Sequence, residues 1–294
     1  LKVDNAIIMA AGTSSRFAPL SYENHKALTV VKGEVLIERQ IEQLKEAGID
    51  EIFIVTGYKA DQFDYLKRKY SIKMIHNPSY LTRNNNGSIW AVRDILGNSF
   101  LCSADNYFCE NPFETEVDEA YYAAEYADGH TQEWCMTEDE EGYINSVKIG
   151  GENAWYMMGH TFWSSEFSGR FLDILEKEYE LEETKDKLWE KIYMAHLDVL
   201  KMKIRKYDPG VIFEFDTLDE LRGFDPSYVV DSRSSILKSI AKELSIEERE
   251  IVNVTKISGN NTEASGFEFD CLLGHFRYSY SDCDLKGVHN GRVD

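Results

Sequence analysis

The residues best suited to chemistry lie near the start of the chain. Ala10-Ala11-Gly12-Thr13-Ser14-Ser15-Arg16-Phe17-Ala18-Pro19-Leu20 is followed by His25-Lys26-Ala27-Leu28. Small residues at 10–12 let backbone N–H groups approach a polyphosphate. Arg16 and Lys26 add fixed positive charge for an electron-rich triphosphate. A glycine turn alone says little; the whole string is far more specific. Two further blocks close apolar runs: Ser103-Ala104-Asp105-Asn106-Tyr107 and Glu214-Phe215-Asp216-Thr217. A lone Asp after a strand is more often a turn or cap residue. Taken together, Asp105 and Asp216 offer what Mg²⁺ prefers, one or two carboxylates to share with substrate phosphates. The histidines show no HExxH or HxxxH spacing, so zinc is a poor reading.

These residues need a scaffold that delivers them from strand ends. Residues 5–10 read as a short apolar strand, and 36–47 as a helix with Leu36, Ile37, Ile41 and Leu44 on one face, stopped by Gly48. Strands are expected at 51–55, 72–75 and 99–104, with helices at 62–70 and 88–96 between them. That alternation predicts an α/β fold of βαβ units with a mixed, mainly parallel sheet, whose ligands bind beyond the carboxyl ends of the strands. From about 120 the pattern turns antiparallel, with strands expected at 121–125, 133–137 and 143–149. Acidic amphipathic helices follow at 167–183 and 185–199, then a strand at 211–215 and a short helix at 217–223. Asp225-Pro226-Ser227 is the natural boundary, giving a domain over 1–226 and a small C-terminal α+β appendage over 227–294. The appendage opens with a helix at 232–244, has a helical cap expected at Ser245, and ends in short strands.

Composition narrows the function. The 43% of hydrophobic residues allows a buried core, while 52 acidic against 32 basic residues leave a net charge of −20. So negative a chain is repelled by phosphate backbones and anionic lipids, which argues against nucleic-acid or membrane partners. No apolar run is long enough to span a bilayer, and the first residues run into a strand rather than a signal-peptide layout. Five cysteines, an odd number without CxxC pairs, suggest reduced thiols in a cytoplasmic protein.

The loop string, with Arg16, Pro19-Leu20 and Lys26, resembles the nucleotidyltransferases of the sugar-phosphate pyrophosphorylase superfamily. Ser14 stands where that family usually has a second glycine, and His25 where it has proline. A narrower resemblance, over roughly residues 3–225, is to bacterial CTP:phosphocholine cytidylyltransferases. It rests on 80–90 with Asn84-Asn85 and Ser88, on Ala104-Asp105-Asn106-Tyr107, and on Glu133-Trp134. Gly159 with Phe162-Trp163, and Trp189-Glu190, extend it; Leu188 stands where tyrosine is usual.

The resemblance implies a Rossmann-like nucleotidyltransferase fold and transfer of CMP from CTP to phosphocholine, with release of pyrophosphate. It implies Asp105 and Asp216 as Mg²⁺ ligands and Arg16 and Lys26 as the cations on the leaving group. Ala10, Ala11, Gly12 and Thr13 would cradle the nucleotide beside Ala104, while Asn85 and Ser88 read the cytosine. A trimethylammonium group has no N–H donors, so it is held by aromatic faces and a carboxylate. Trp134, Trp163 and Trp189 with Tyr107, Glu133 and Glu190 are the expected acceptor site, and Trp155-Tyr156 an expected lid on a Gly-flanked loop. The acceptor could instead be 2-aminoethylphosphonate or a sugar 1-phosphate, and the other class of reading is a non-catalytic nucleotide sensor. A homo-oligomer stays open. Residues 246–257, Ser258 to Thr262 and 266–269 loosely resemble the opening of a choline-kinase-like N-lobe. Too few residues remain after them for a kinase, so a non-catalytic appendage is expected.

Overall fold

A computed structural model describes residues 1–259, 263–289 and 292–293. It divides into two compact units, one of residues 1–12 and 36–214, the other of residues 13–35 and 215–294.

The first unit is built on a seven-stranded sheet. Its order is Lys203–Lys206, Tyr121–Glu138, Ile144–Trp163, Ser99–Ser103, Asn5–Ala10, Ile52–Thr56 and Lys73–His76. Four neighbouring pairs are parallel, and the two made by Ile144–Trp163 are antiparallel, so the sheet is mixed and mainly parallel as expected. Ile7, Ile8, Ile54 and Val55 are fully buried, which is what strands covered on both faces require. Helix Leu36–Glu46 buries Leu36, Ile37, Gln40, Ile41, Gln43 and Leu44, and Gly48, at φ +88°, ends it in the left-handed region that favours glycine. No helix among the described residues is long and apolar enough to cross a membrane.

Several elements differ from expectation. The strands expected at 121–125 and 133–137 are one long strand, and 143–149 belongs to another that runs on to Trp163. Gly129, at φ +88°, bends the ladder while its N–H donates to Asn153 Oδ1 at 2.8 Å. The hairpin then doubles back, so Cys135 pairs with both Lys148 and Tyr156. Trp155 and Tyr156 therefore lie within a strand, not on a lid loop. The helix expected at 185–199 is Trp189–Ala195, because the carbonyls of Lys185 and Lys187 accept hydrogen bonds from Asn84 and Asn86 instead of continuing a helix. The helix at 88–96 is shortened to Asn86–Ala91.

In the second unit, helices Leu218–Phe224, Ser227–Val230 and Ser235–Leu244 precede an antiparallel sheet of five strands. Ser245 closes the last of these helices in a left-handed conformation at φ +55°, and so ends a helix rather than starting one. The turn expected at Ser258 to Thr262 falls partly on Asn260, Asn261 and Thr262, which lie outside the described residues. The division at 214/215 differs from the boundary expected at 226/227. Arg222 explains why 215–226 stays with the C-terminal residues: its guanidinium donates to the carbonyls of Tyr228, Ile251 and Glu248 at 3.3, 2.6 and 2.8 Å. The 13–35 segment is tied in likewise, by Tyr228 Oη to Val30 O at 2.6 Å and Lys32 N–H to Asp225 Oδ2 at 2.8 Å.

Candidate active site

In the first unit the parallel strands Asn5–Ala10 and Ser99–Ser103 end side by side. Ala10 and Ala11 are buried and Gly12 is exposed. A Cβ built at Gly12 meets nothing within 4 Å among the described residues, so no protein crowding calls for glycine there; the open space suits close approach of a phosphate. Ala104 N–H donates to Met9 O at 3.2 Å, which joins the Asp105 turn to the first strand. Gln40, absent from the expected site, clamps that turn: its Nε2 donates to Ser103 O at 2.8 Å and to Asn106 O at 2.9 Å. Gln43 is buried on the same helix, so a polar residue on the buried side did not by itself single Gln40 out. Asp105 Oδ1 also accepts from Ser103 Oγ at 2.6 Å.

In the second unit Asp216 draws two cations. Arg16 Nη1 lies 2.8 Å from Asp216 Oδ2, and the buried Lys26 Nζ lies 3.5 Å from Oδ1. Asp216 stands just before helix Leu218–Phe224, whose capping box sets its backbone: Glu220 Oε2 accepts from Asp216 N–H at 2.7 Å and from Thr217 N–H at 3.0 Å. Thr13 is buried at the start of this unit's loop. Both departures from the usual loop pattern have a local account. Ser14 adopts φ +49°, the left-handed conformation a glycine takes without strain. His25 replaces proline's rigid turn with a side-chain cap, Nδ1 accepting from Ala27 N–H at 3.1 Å ahead of the short helix Lys26–Leu28.

The expected acceptor residues separate into two groups. Trp163 and Trp189 are core: each is almost wholly buried, with ring centroids 5.0 Å apart, packed on Phe171. Tyr107 is buried too, with the Arg39 guanidinium 4.5 Å from its ring centroid. Trp134 is half-buried, next to exposed Glu133, and its face already holds a cation, the Lys191 ammonium at 4.7 Å. Glu190 is half-buried; Tyr122 Oη donates to one oxygen at 3.3 Å and Asn85 Nδ2 to the other at 3.1 Å. Desolvation pushes its carboxyl above the ordinary range, against those hydrogen bonds.

The expected base readers are committed within the protein. Asn85 Oδ1 accepts from Trp189 N–H at 2.6 Å while its Nδ2 donates to Glu190 at 3.1 Å, so its amide fixes 189–190. The Ser88 hydroxyl is buried and accepts from Asn77 Nδ2 at 3.2 Å. Among the described residues no group of three or more His, Cys, Asp or Glu side chains is placed to hold a metal. Asp105 and Asp216 are nonetheless hard oxygen donors of the type that shares Mg²⁺ with substrate phosphates.

Comparison with known proteins agrees with this architecture. Residues 6–125 match the MobA-like NTP transferase domain. The choline-phosphate cytidylyltransferase of Streptococcus pneumoniae is 31% identical over 217 residues, 74% of this chain and 95% of that protein. The 2-aminoethylphosphonate cytidylyltransferase of Lancefieldella rimae is 33% identical over 78% of this chain and 95% of its own length. A solved structure of the Streptococcus pneumoniae CTP:phosphocholine cytidylyltransferase superposes with a TM-score of 0.73, at 31% identity, covering 77% of this chain and 99% of that one. With the mixed sheet, the loop and the two aspartate turns all in place, the chain belongs to the nucleotidyltransferase family of these cytidylyltransferases.

Proposed function

We propose that the chain transfers CMP from CTP to phosphocholine, giving CDP-choline and pyrophosphate. The observation that carries the nucleotide end is the pair of cations, Arg16 on the glycine loop and Lys26 in the short helix Lys26–Leu28, both drawn to Asp216. A phosphate oxygen of phosphocholine attacks the α-phosphorus in line. The new O–P bond forms as the bridging α–β bond breaks, and its electron pair leaves on pyrophosphate. The attacking oxygen is already ionised at neutral pH, so no side chain has to take a proton. Positioning and charge stabilisation then supply the rate. Buried Lys26 holds its charge in a fixed place, while exposed Arg16, paired with Asp216, presents its guanidinium to solvent where the pyrophosphate would depart. Asp105 and Asp216 are the residues that would hold Mg²⁺, which when bound supplies Lewis-acid charge neutralisation.

At the acceptor end, Trp134 and Glu190 support a cationic headgroup. Trp134 carries an ammonium on its face, and Glu190 keeps a carboxylate beside buried aromatics. With Trp163, Trp189 and Tyr107 in the core, the acceptor site narrows to Glu133, Trp134 and Glu190. Glu190 also favours a second acceptor, 2-aminoethylphosphonate, because a primary ammonium can donate hydrogen bonds to it. The test is pyrophosphate release from CTP, UTP, GTP and ATP, each with phosphocholine, 2-aminoethylphosphonate and a sugar 1-phosphate. Release with CTP and phosphocholine supports the proposal; binding of CTP with no release from any acceptor points to a sensor.

A further inference from the structure

The segment that carries Arg16 and Lys26 is held by residues from the C-terminal part of the same unit. Tyr22 stacks on Tyr280, with ring centroids 3.8 Å apart and planes 4° from parallel. Glu23 Oε1 accepts from Ser235 N–H at 2.7 Å and from Ile236 N–H at 3.2 Å. At the loop itself, Lys256 on strand Val252–Ser258 donates from Nζ to Ser15 Oγ at 3.0 Å.

Ser15 immediately precedes Arg16 in the chain. Lys256 is exposed and has no carboxylate partner within 4.0 Å among the described residues, although the chain carries 52 acidic residues. An ammonium held by a hydroxyl keeps its charge for an incoming anion, and lysine binds phosphate as a point charge. Arg16, next in sequence to Ser15, is a cation too, so a multiply charged anion at the loop is attracted by both the strand's ammonium and the loop's guanidinium.

We infer that Lys256 is a nucleotide-binding residue contributed by the C-terminal sheet, its ammonium engaging the terminal phosphates of the nucleoside triphosphate beside Arg16. This rests on the reading that the loop binds CTP. It also gives the C-terminal sheet a part in substrate binding, where the sequence alone suggested an appendage without one.

The experiment uses the full chain and its Lys256→Ala, Lys256→Glu and Lys256→Arg variants. Equilibrium binding of CTP and of CMP is measured with Mg²⁺, alongside the KM for each substrate. One charged hydrogen bond predicts CTP binding about tenfold weaker in Lys256→Ala. Lys256→Glu is weaker still, and Lys256→Arg restores binding. CMP binding and the acceptor KM stay unchanged in all three. Equal losses for CTP and CMP would mean that Lys256 merely props the loop, and would overturn the phosphate contact. So would wild-type CTP affinity in both Lys256→Ala and Lys256→Glu. A wild-type chain that binds no CTP would sink the nucleotide reading and this inference together, which separates the two failures.

Discussion

Arg16 Nη1 sits 2.8 Å from Asp216 Oδ2, an ion pair between the exposed guanidinium of the glycine loop and the carboxylate just ahead of helix Leu218–Phe224. Asp216 is only partly exposed and also faces Lys26 at 3.5 Å. Asp216→Asn keeps the side chain's shape and the helix cap behind it, since Glu220 binds the backbone of 216. Turnover should fall about 100-fold or more, the scale for losing a group that stabilises transition-state charge. Asp105→Asn should do the same. The check is pyrophosphate release at saturating Mg²⁺ with a melting curve for each variant. Wild-type rates in both would remove the two aspartates from the site.

The tryptophans should divide by burial. Trp134→Ala removes an aromatic face and should raise the acceptor KM roughly thirtyfold, as for a desolvated cation–π contact of about 2 kcal/mol, with the CTP KM little changed. Lys191→Met vacates the same face and should lower the acceptor KM. Trp163→Ala opens a cavity in a closely packed aromatic core and should cost about 3–5 kcal/mol of stability. Thermal melts and paired KM values separate these outcomes. Equal KM effects on both substrates in Trp134→Ala would mark it as a packing residue.

Glu190 sets a pH dependence. Burial raises its carboxyl above the ordinary range, so the folded chain keeps a proton that the unfolded chain has lost. Its contribution to stability is therefore lost as pH rises from the ordinary carboxylate value to the raised folded one. Glu190→Gln should abolish that slope in urea-denaturation curves. In activity the sign is opposite: the ionised carboxylate attracts a cationic headgroup, so the wild-type acceptor KM should fall across that interval. The acceptor's own phosphate titration is common to both proteins, so their ratio isolates Glu190. A pH-independent ratio would exclude Glu190 from the acceptor site.

Ser14 gives a test of backbone strain. A non-glycine residue in the left-handed region costs roughly 1 kcal/mol or more. Ser14→Gly should thus raise stability by about 1 kcal/mol with the CTP KM retained, provided the freer unfolded chain does not cancel the gain. A clear fall in melting temperature would show that the serine hydroxyl contributes more than its backbone costs.

The sequence was most informative where local pattern and final contact coincide. The apolar runs at 5–10 and 99–104 read as buried strands and are strands in the fold, and their ends carry Gly12 and Asp105. Long-range partners were not legible. Asn85 resembles a base reader in sequence, yet its amide is engaged by Trp189 and Glu190, more than 100 residues away. Trp163 and Trp189 look the same as Trp134 until burial separates them. Gln40 was hidden because its role is a clamp on two carbonyls over 60 residues on. The doubling back of the long hairpin depends on paired bends at Gly129 and Asn153, which no period-2 pattern announces.

The most direct measurement is a competition. The full chain is given CTP and Mg²⁺ with equal concentrations of phosphocholine and 2-aminoethylphosphonate, and the products are identified by ³¹P NMR and mass spectrometry. The account predicts CDP-choline as the main product, formed in step with pyrophosphate and lost in Asp216→Asn. Predominant transfer to 2-aminoethylphosphonate, or pyrophosphate release without a CDP-choline signal, would contradict it.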